Sequence, residues 1–133
     1  MIRSGKRGKV GLIVESGDAW EVHHYATLLS FGANAINPYL AFATIRKLRE
    51  SNSSSDIKKL KTLKSNYINA IDKGLLKVFS KIGISTLKSY HGSQLFEIIG
   101  INRNTVDQYF TSTTSRIEGL DICLLYTSPS PRD

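Results

Sequence analysis

The stretch from Val78 to Glu97 constrains the fold more than any other part of the chain. Upstream of it, Leu60, Leu63, Tyr67, Ile71, Leu75 and Phe79 recur at three- or four-residue steps, with lysines mostly between them. That spacing predicts an amphipathic helix from about Asp56. Ile82 to Leu87 then reads as a short buried strand. A glycine-containing turn follows at Gly92, and His91 to Gly100 reads as a second helix that Gly100 ends. Helix, buried strand, turn and helix is how one unit of an α/β barrel is written.

The first half carries the same grammar. Met1 to Lys9 is basic and glycine-rich and reads as a loop. Val10 to Val14 is a short apolar run that suits a buried strand. Glu15 to Asp18 reads as a turn, with Asp18 or Ser16 able to cap a helix from about Ala19 to Phe31. Glu21 stands three residues after Asp18, the spacing of a capping-box partner. Val22, Tyr25, Ala26, Leu28 and Leu29 give that helix an apolar face, and Gly32 stops it. Asn34 to Asn37 reads as a loop, with Asn37 capping a helix that opens on Pro38 and runs to about Arg49. Ser51 to Ser55 is polar and predicts a linker. Beyond Gly100, Asn102 or Asn104 can cap a short helix bearing Val106, Tyr109 and Phe110, and Thr111 to Gly119 reads as a polar loop.

A chain of 133 residues has room for one ordinary domain. Its 41% hydrophobic and 22% charged content is that of a globular chain. The net charge of +7 invites a nucleic-acid reading. The lysines, however, fall in a terminal cluster (Arg3, Lys6, Arg7, Lys9) and on one helical stretch (Lys58, Lys59, Lys61, Lys64), without interleaved stacking aromatics. They read as a solvated face, so no nucleic-acid partner is expected. No run approaches the roughly 20 apolar residues of a membrane span, and no membrane association is expected. The single cysteine, Cys123, excludes a disulfide or a cysteine-built metal site within this sequence.

Little in the chain is catalytic by pattern. His23 and His24 are adjacent, so on a helix they point about 100° apart and cannot easily share a metal. They read as surface or packed histidines hydrogen-bonded to neighbours. Ser16 and Ser85 sit in no nucleophile elbow. The segment Cys123 to Asp133 breaks the style of everything before it, holding two of the three prolines and the only cysteine. It resembles the translation of a transposase-type sequencing adaptor and is expected to be foreign to the fold. Met1 can equally be an internal methionine.

Two colinear blocks resemble glutamate synthase. Val10 to Phe42, with Glu15-Ser16-Gly17-Asp18-Ala19-Trp20 and His23-His24-Tyr25 at its heart, is similar to the end of that family's central domain. Asn66 through Lys73-Gly74-Leu75-Leu76-Lys77-Val78-Phe79-Ser80-Lys81-Ile82-Gly83-Ile84-Ser85-Thr86 to Arg116-Ile117-Glu118-Gly119 is similar to the start of its flavin domain. The fold class this implies is α/β: the last strand–helix unit of a central domain (1–50), a linker (51–65), and the opening of an FMN-binding (β/α)8 barrel (66–122), with 123–133 as a non-native tail.

The resemblance also implies an activity and its partners. The family makes L-glutamate from L-glutamine and 2-oxoglutarate by ammonia transfer and FMN-dependent reduction. Electrons reach the FMN through a 3Fe–4S cluster from NAD(P)H or ferredoxin. On this reading Ser80, Lys81, Gly83, Ser85 and Thr86 lie at the carboxyl end of a barrel strand and face FMN or 2-oxoglutarate, with Lys81 placed to offset charge on a reduced flavin. Read without the resemblance, Ser85 and Thr86 only end a strand and Lys81 points to solvent. The sequence departs from the family in lacking the amino-terminal cysteine nucleophile, the cluster cysteines and the later barrel strands. It has Phe79 and Ile82 where methionines are expected and His91 where an arginine is expected. The chain alone is therefore expected to be inactive, and the parent to be cytoplasmic or plastid. A small basic nucleic-acid-binding module, and a truncated protein that associates with a full-length synthase, are the alternative readings.

Overall fold

A computed structural model describes residues 4–51 and 57–127. The architecture is mixed α/β with two small parallel sheets, and the chain divides into two compact units, residues 1–92 and 93–133.

In the first unit, strand β1 (Ile13–Glu15) pairs in parallel with β2 (Ala35–Asn37), Val14 standing opposite Ile36. Helix α1 (Val22–Ser30) makes the crossover between them. The expected strand at Val10–Val14 is thus displaced towards Glu15, because the ladder extends only where β2 lies opposite. Asn34–Asn37, expected as a loop, supplies that partner strand. Asn34 Oδ1 accepts from the Leu12 N–H at 2.8 Å, which sets the entry to the ladder. Helix α1 is capped by neither Asp18 nor Ser16. Glu21 is its N-cap, its side chain accepting from the His24 N–H in a capping box. In return His24 Nδ1 accepts from the backbone N–H groups of Trp20 and Glu21, each at 3.2 Å. Ser16 instead accepts from Asp18 N–H to close the preceding turn.

Two further helices follow. The first intrahelical bond of helix α2 (Tyr39–Ser51) is donated by the Phe42 N–H to the Pro38 carbonyl, so Pro38 rather than Asn37 occupies the cap position. Helix α3 (Ile57–Ile82) realises the long periodic pattern, and both α1 and α2 pack on it. The polar stretch after Ser51 largely lies outside the described residues, and the helices on either side of it belong to one compact unit. Helix α1 packs on α3 with Val22 against Gly74. The buried residues here are mostly small: Ala19, Ala26, Ala33 and Ala41, with Tyr25, Leu29 and Tyr90.

The expected strand at Ile82–Leu87 does not form. Helix α3 continues through Ser80, Lys81 and Ile82, and Gly83 ends it with φ at +79°. The Ile84 N–H donates to the Phe79 carbonyl (3.1 Å) and the Gly83 N–H to Ser80 (3.3 Å), which is a Schellman stop. Ile84–Thr86 then has no strand beside it in this unit, so its β-branched residues find no ladder. Thr86 caps a single helical turn, α4 (Leu87–Tyr90). Tyr90 is fully buried, its ring 4.5 Å from that of Phe79, and this anchors α4 to the end of α3.

The second unit is a β–α–β–α run: β3 (Ile98–Ile101), α5 (Arg103–Tyr109), β4 (Ser115–Leu120) and α6 (Ile122–Thr127). The helix expected over His91–Gly100 is replaced by a turn at His91–Gly92 and by β3, where Ile98, Ile99 and Ile101 favour extended backbone. The expected loop at Thr111–Gly119 contains β4, which lies parallel to β3 with two register shifts. Where the strands are closest, a side chain at Gly119 would collide with the Gly100 backbone. Asn102 caps α5 as anticipated, accepting from Asn104 N–H at 2.9 Å. Thr105 Oγ1 donates to Asp121 at 2.7 Å, tying the start of α5 to the end of β4. Helix α6 buries none of its residues.

Candidate functional site

The five expected site residues fall in one short segment but do not converge. Ser80 and Lys81 occupy the last turn of α3, Gly83 is its stop, and Ser85 and Thr86 lie in the extended link to α4. All five are exposed. The Thr86 hydroxyl is engaged with Ser89 Oγ at 2.8 Å in capping α4. A Cβ built at Gly83 meets nothing within 4 Å, so no surface is held close to it. Lys81 stands at the helix carboxyl end, where a cation offsets the negative end of the macrodipole. As placed, these groups can offer hydroxyls and one ammonium to an anionic or polar ligand, but they do not enclose one. A flavin-sized ring is not cradled by the segment alone.

The structure instead assembles an apolar groove in the first unit, which the sequence pattern did not single out. It encloses about 730 Å³ between α1, β2, α2 and α3. Helix α3 forms its long wall through Tyr67, Ile68, Ile71, Leu75, Leu76 and Phe79, faced by Tyr25, Ile36 and Phe42. The residues that face it from α3 follow the i, i+3, i+4 stripe, which is why they read as core in the sequence. Ile68 and Leu76 are nonetheless 47% and 66% exposed.

A tyrosine pair and the Asp72 carboxyl bear on this groove. The hydroxyls of Tyr25 and Tyr67 lie 2.9 Å apart, and they approach the carbonyls of Ala19 (3.2 Å) and Trp20 (3.0 Å). Two hydroxyl protons serve three contacts, so the pair is internally committed and offers little to a ligand. Burial, and then the bond to Tyr67, push ionisation of Tyr25 well above the ordinary tyrosine range. His23 and His24 are exposed, and His24 acts as a cap. Among the described residues no group of three or more His, Cys, Asp or Glu side chains could hold a metal ion. Among the described residues, no helix is long and apolar enough to cross a membrane.

An α/β protein with two parallel βαβ units, separated in sequence by a long lysine-bearing helix, is the class these observations define. Comparison with known proteins narrows it: the family model for the glutamate synthase central domain matches residues 1–102, and the chain belongs to that family. Over 122 residues it is 48% identical to the glutamate synthase [NADPH] large chain of Bacillus subtilis, covering 92% of this chain and 8% of that protein. It is 43% identical over 134 residues to the ferredoxin-dependent glutamate synthase of Antithamnion sp., covering 95% and 9%. Against the glutamate synthase [NADH] of Saccharomyces cerevisiae the figures are 44% over 126 residues, 90% and 6%. The chain thus spans less than a tenth of the length of these relatives.

Proposed function

We propose that this chain is one section of a glutamate synthase, an oxidoreductase that forms L-glutamate from L-glutamine and 2-oxoglutarate with electrons from NAD(P)H or ferredoxin. The observation that supports this most is similarity over nine-tenths or more of the chain to relatives named for each of these donors. On this reading residues 1–50 close the central domain, 51–65 link, and 66–122 open the flavin domain. The parallel β3–α5–β4 unit is then part of the start of a (β/α)8 barrel, whose connections are of this kind.

Ser80, Lys81, Gly83, Ser85 and Thr86 would contribute a polar rim to the FMN or 2-oxoglutarate site once other segments of the polypeptide wall it in. FMN, when bound, supplies the hydride chemistry. What this chain supplies is a cation at the end of α3, two hydroxyls on an extended link, and the Schellman stop that orients them. A 3Fe–4S cluster needs several thiolates, so its ligands come from elsewhere than this sequence, which has one cysteine. The parent works in the cytoplasm or a plastid. The chain alone is inactive on this reading, because its described residues enclose no cofactor site.

The test is to supply the full polypeptide containing this sequence with glutamine, 2-oxoglutarate and, in turn, NADPH, NADH and reduced ferredoxin. Glutamate formation with one of these donors is expected. Absence of glutamate with all three would remove the reading.

A further inference from the structure

We propose that Phe79 and Tyr90 are positioning residues: their ring contact closes residues 80–86 into a loop of fixed shape, and so sets where Ser80, Lys81 and Ser85 meet a ligand. The inference rests on the reading of that segment as a rim of the FMN or 2-oxoglutarate site. The segment is open in the middle and held at its ends. Ser80 to Gly83, Ser85 and Thr86 are exposed. Phe79 and Leu87, the residues on either side, both line the groove. The Phe79 and Tyr90 rings have their centroids 4.5 Å apart and their planes tilted by 51°. Tyr90 is the largest fully buried side chain among the described residues. Just beyond it, the Gly92 N–H donates to the Ser30 carbonyl at 2.7 Å, which ties the far end of the segment to the close of α1.

The backbone bonds that shape the loop start from the same two residues. The Gly83 and Ile84 N–H groups both donate to the Phe79 carbonyl, at 2.9 and 3.1 Å. The Tyr90 N–H donates to the Thr86 carbonyl at 3.3 Å. The chain therefore turns on Phe79 at one end of the loop and closes on Tyr90 at the other. Solvent-exposed bonds of this kind are individually weak. A buried aromatic pair removes a large apolar area from water and prefers a particular geometry. The rings thus fix the separation of the two turns, and the polar groups between them follow. Lys81 brings an ammonium with three N–H donors, and Ser80 and Ser85 bring a hydroxyl each. That donor set suits an anionic acceptor, either a 2-oxoglutarate carboxylate or a flavin group.

The first arm of the test is amide hydrogen exchange on the 133-residue chain, which needs no cofactor. Phe79→Leu and Tyr90→Leu should each speed exchange at Gly83 and Ile84 about tenfold relative to the amides of α1. Tyr90→Phe keeps the ring and should leave that exchange within about twofold of the wild type. The second arm uses the full polypeptide containing this sequence. Phe79→Leu is the milder variant there, because Phe79 is only half-buried. It should raise the KM for 2-oxoglutarate about tenfold with kcat nearly unchanged where the rim holds the substrate, or release FMN on gel filtration where it holds the flavin. Equal loss of protection in α1 would make the rings a general core contact and overturn the proposal. So would a loosened loop with KM and flavin retention both as in the wild type. A wild-type polypeptide that forms no glutamate would overturn the synthase reading and the positioning role with it, whereas closure of the loop by the rings is decided by exchange alone.

Discussion

Gly74 sits inside a 26-residue helix, where alanine is ordinarily favoured by about 1 kcal/mol. The structure predicts the opposite sign here. A Cβ at position 74 would lie 3.0 Å from Val22 Cγ1 and 3.2 Å from Val22 Cβ, and nearer still to Cγ2. Valine is stiff at χ1, so it cannot swing clear without the backbone of α1 moving. Overpacking of this kind costs about 1–3 kcal/mol, which offsets the propensity gain and leaves Gly74→Ala destabilising by up to about 2 kcal/mol. In a Val22→Ala background the obstruction is gone, and the same substitution should stabilise by about 0.5–1 kcal/mol. The assay is urea denaturation of the four members of the cycle, followed by circular dichroism at constant m. If Gly74→Ala stabilises equally in both backgrounds, the close approach of α1 and α3 at this point is refuted.

Other outcomes follow from local geometry. Gly83→Ala places a side chain at φ +79° and should destabilise the end of α3 by about 1–2 kcal/mol in the same denaturation assay. Tyr25 holds its proton more tightly folded than unfolded, so its contribution to stability is complete below the ordinary value of 10.0 and is lost as pH rises above it. Spectrophotometric titration of tyrosinate should show this group ionising together with alkaline unfolding, and Tyr67→Phe should let it ionise at lower pH. Asp121 is held below the usual carboxylate range, first by the Thr105 hydroxyl and then by the Ile122 N–H. Its contribution is therefore present above the ordinary 3.8 and lost on acidification through its lower folded value. Carboxyl-carbon NMR should find that Thr105→Val moves Asp121 back up.

Long-period features were legible in the sequence and partner-dependent ones were not. The stripe from Leu60 to Phe79 spans many turns, and the helix forms as its spacing predicts. Gly32 and Asn102 mark helix ends by local chemistry and act there as expected. The strands were harder, because a three-residue strand such as Ala35–Asn37 has no period to detect and exists only through its neighbour. Ile82–Leu87 has a strand's composition, yet within its unit it finds no ladder, so the helix propagates through Ile82 to the glycine stop. Arg116-Ile117-Glu118-Gly119 looks polar, and only the parallel approach of β3 makes it a strand. For the candidate site, the residues quoted for the flavin segment lie together in sequence, but among the described residues nothing walls them into a pocket. The groove was hidden for the converse reason. Its lining is written as ordinary core, and only the fold shows that among the described residues of the first unit it stays open.

The most direct test of the account is transfer of label from [amide-15N]glutamine into the 2-amino group of newly formed glutamate, with 2-oxoglutarate and an electron donor present. The full polypeptide containing this sequence should transfer the label, and the 133-residue chain alone should transfer none. Transfer by the isolated chain, or none by the full polypeptide, would contradict the assignment of this chain as an inactive section of a glutamate synthase.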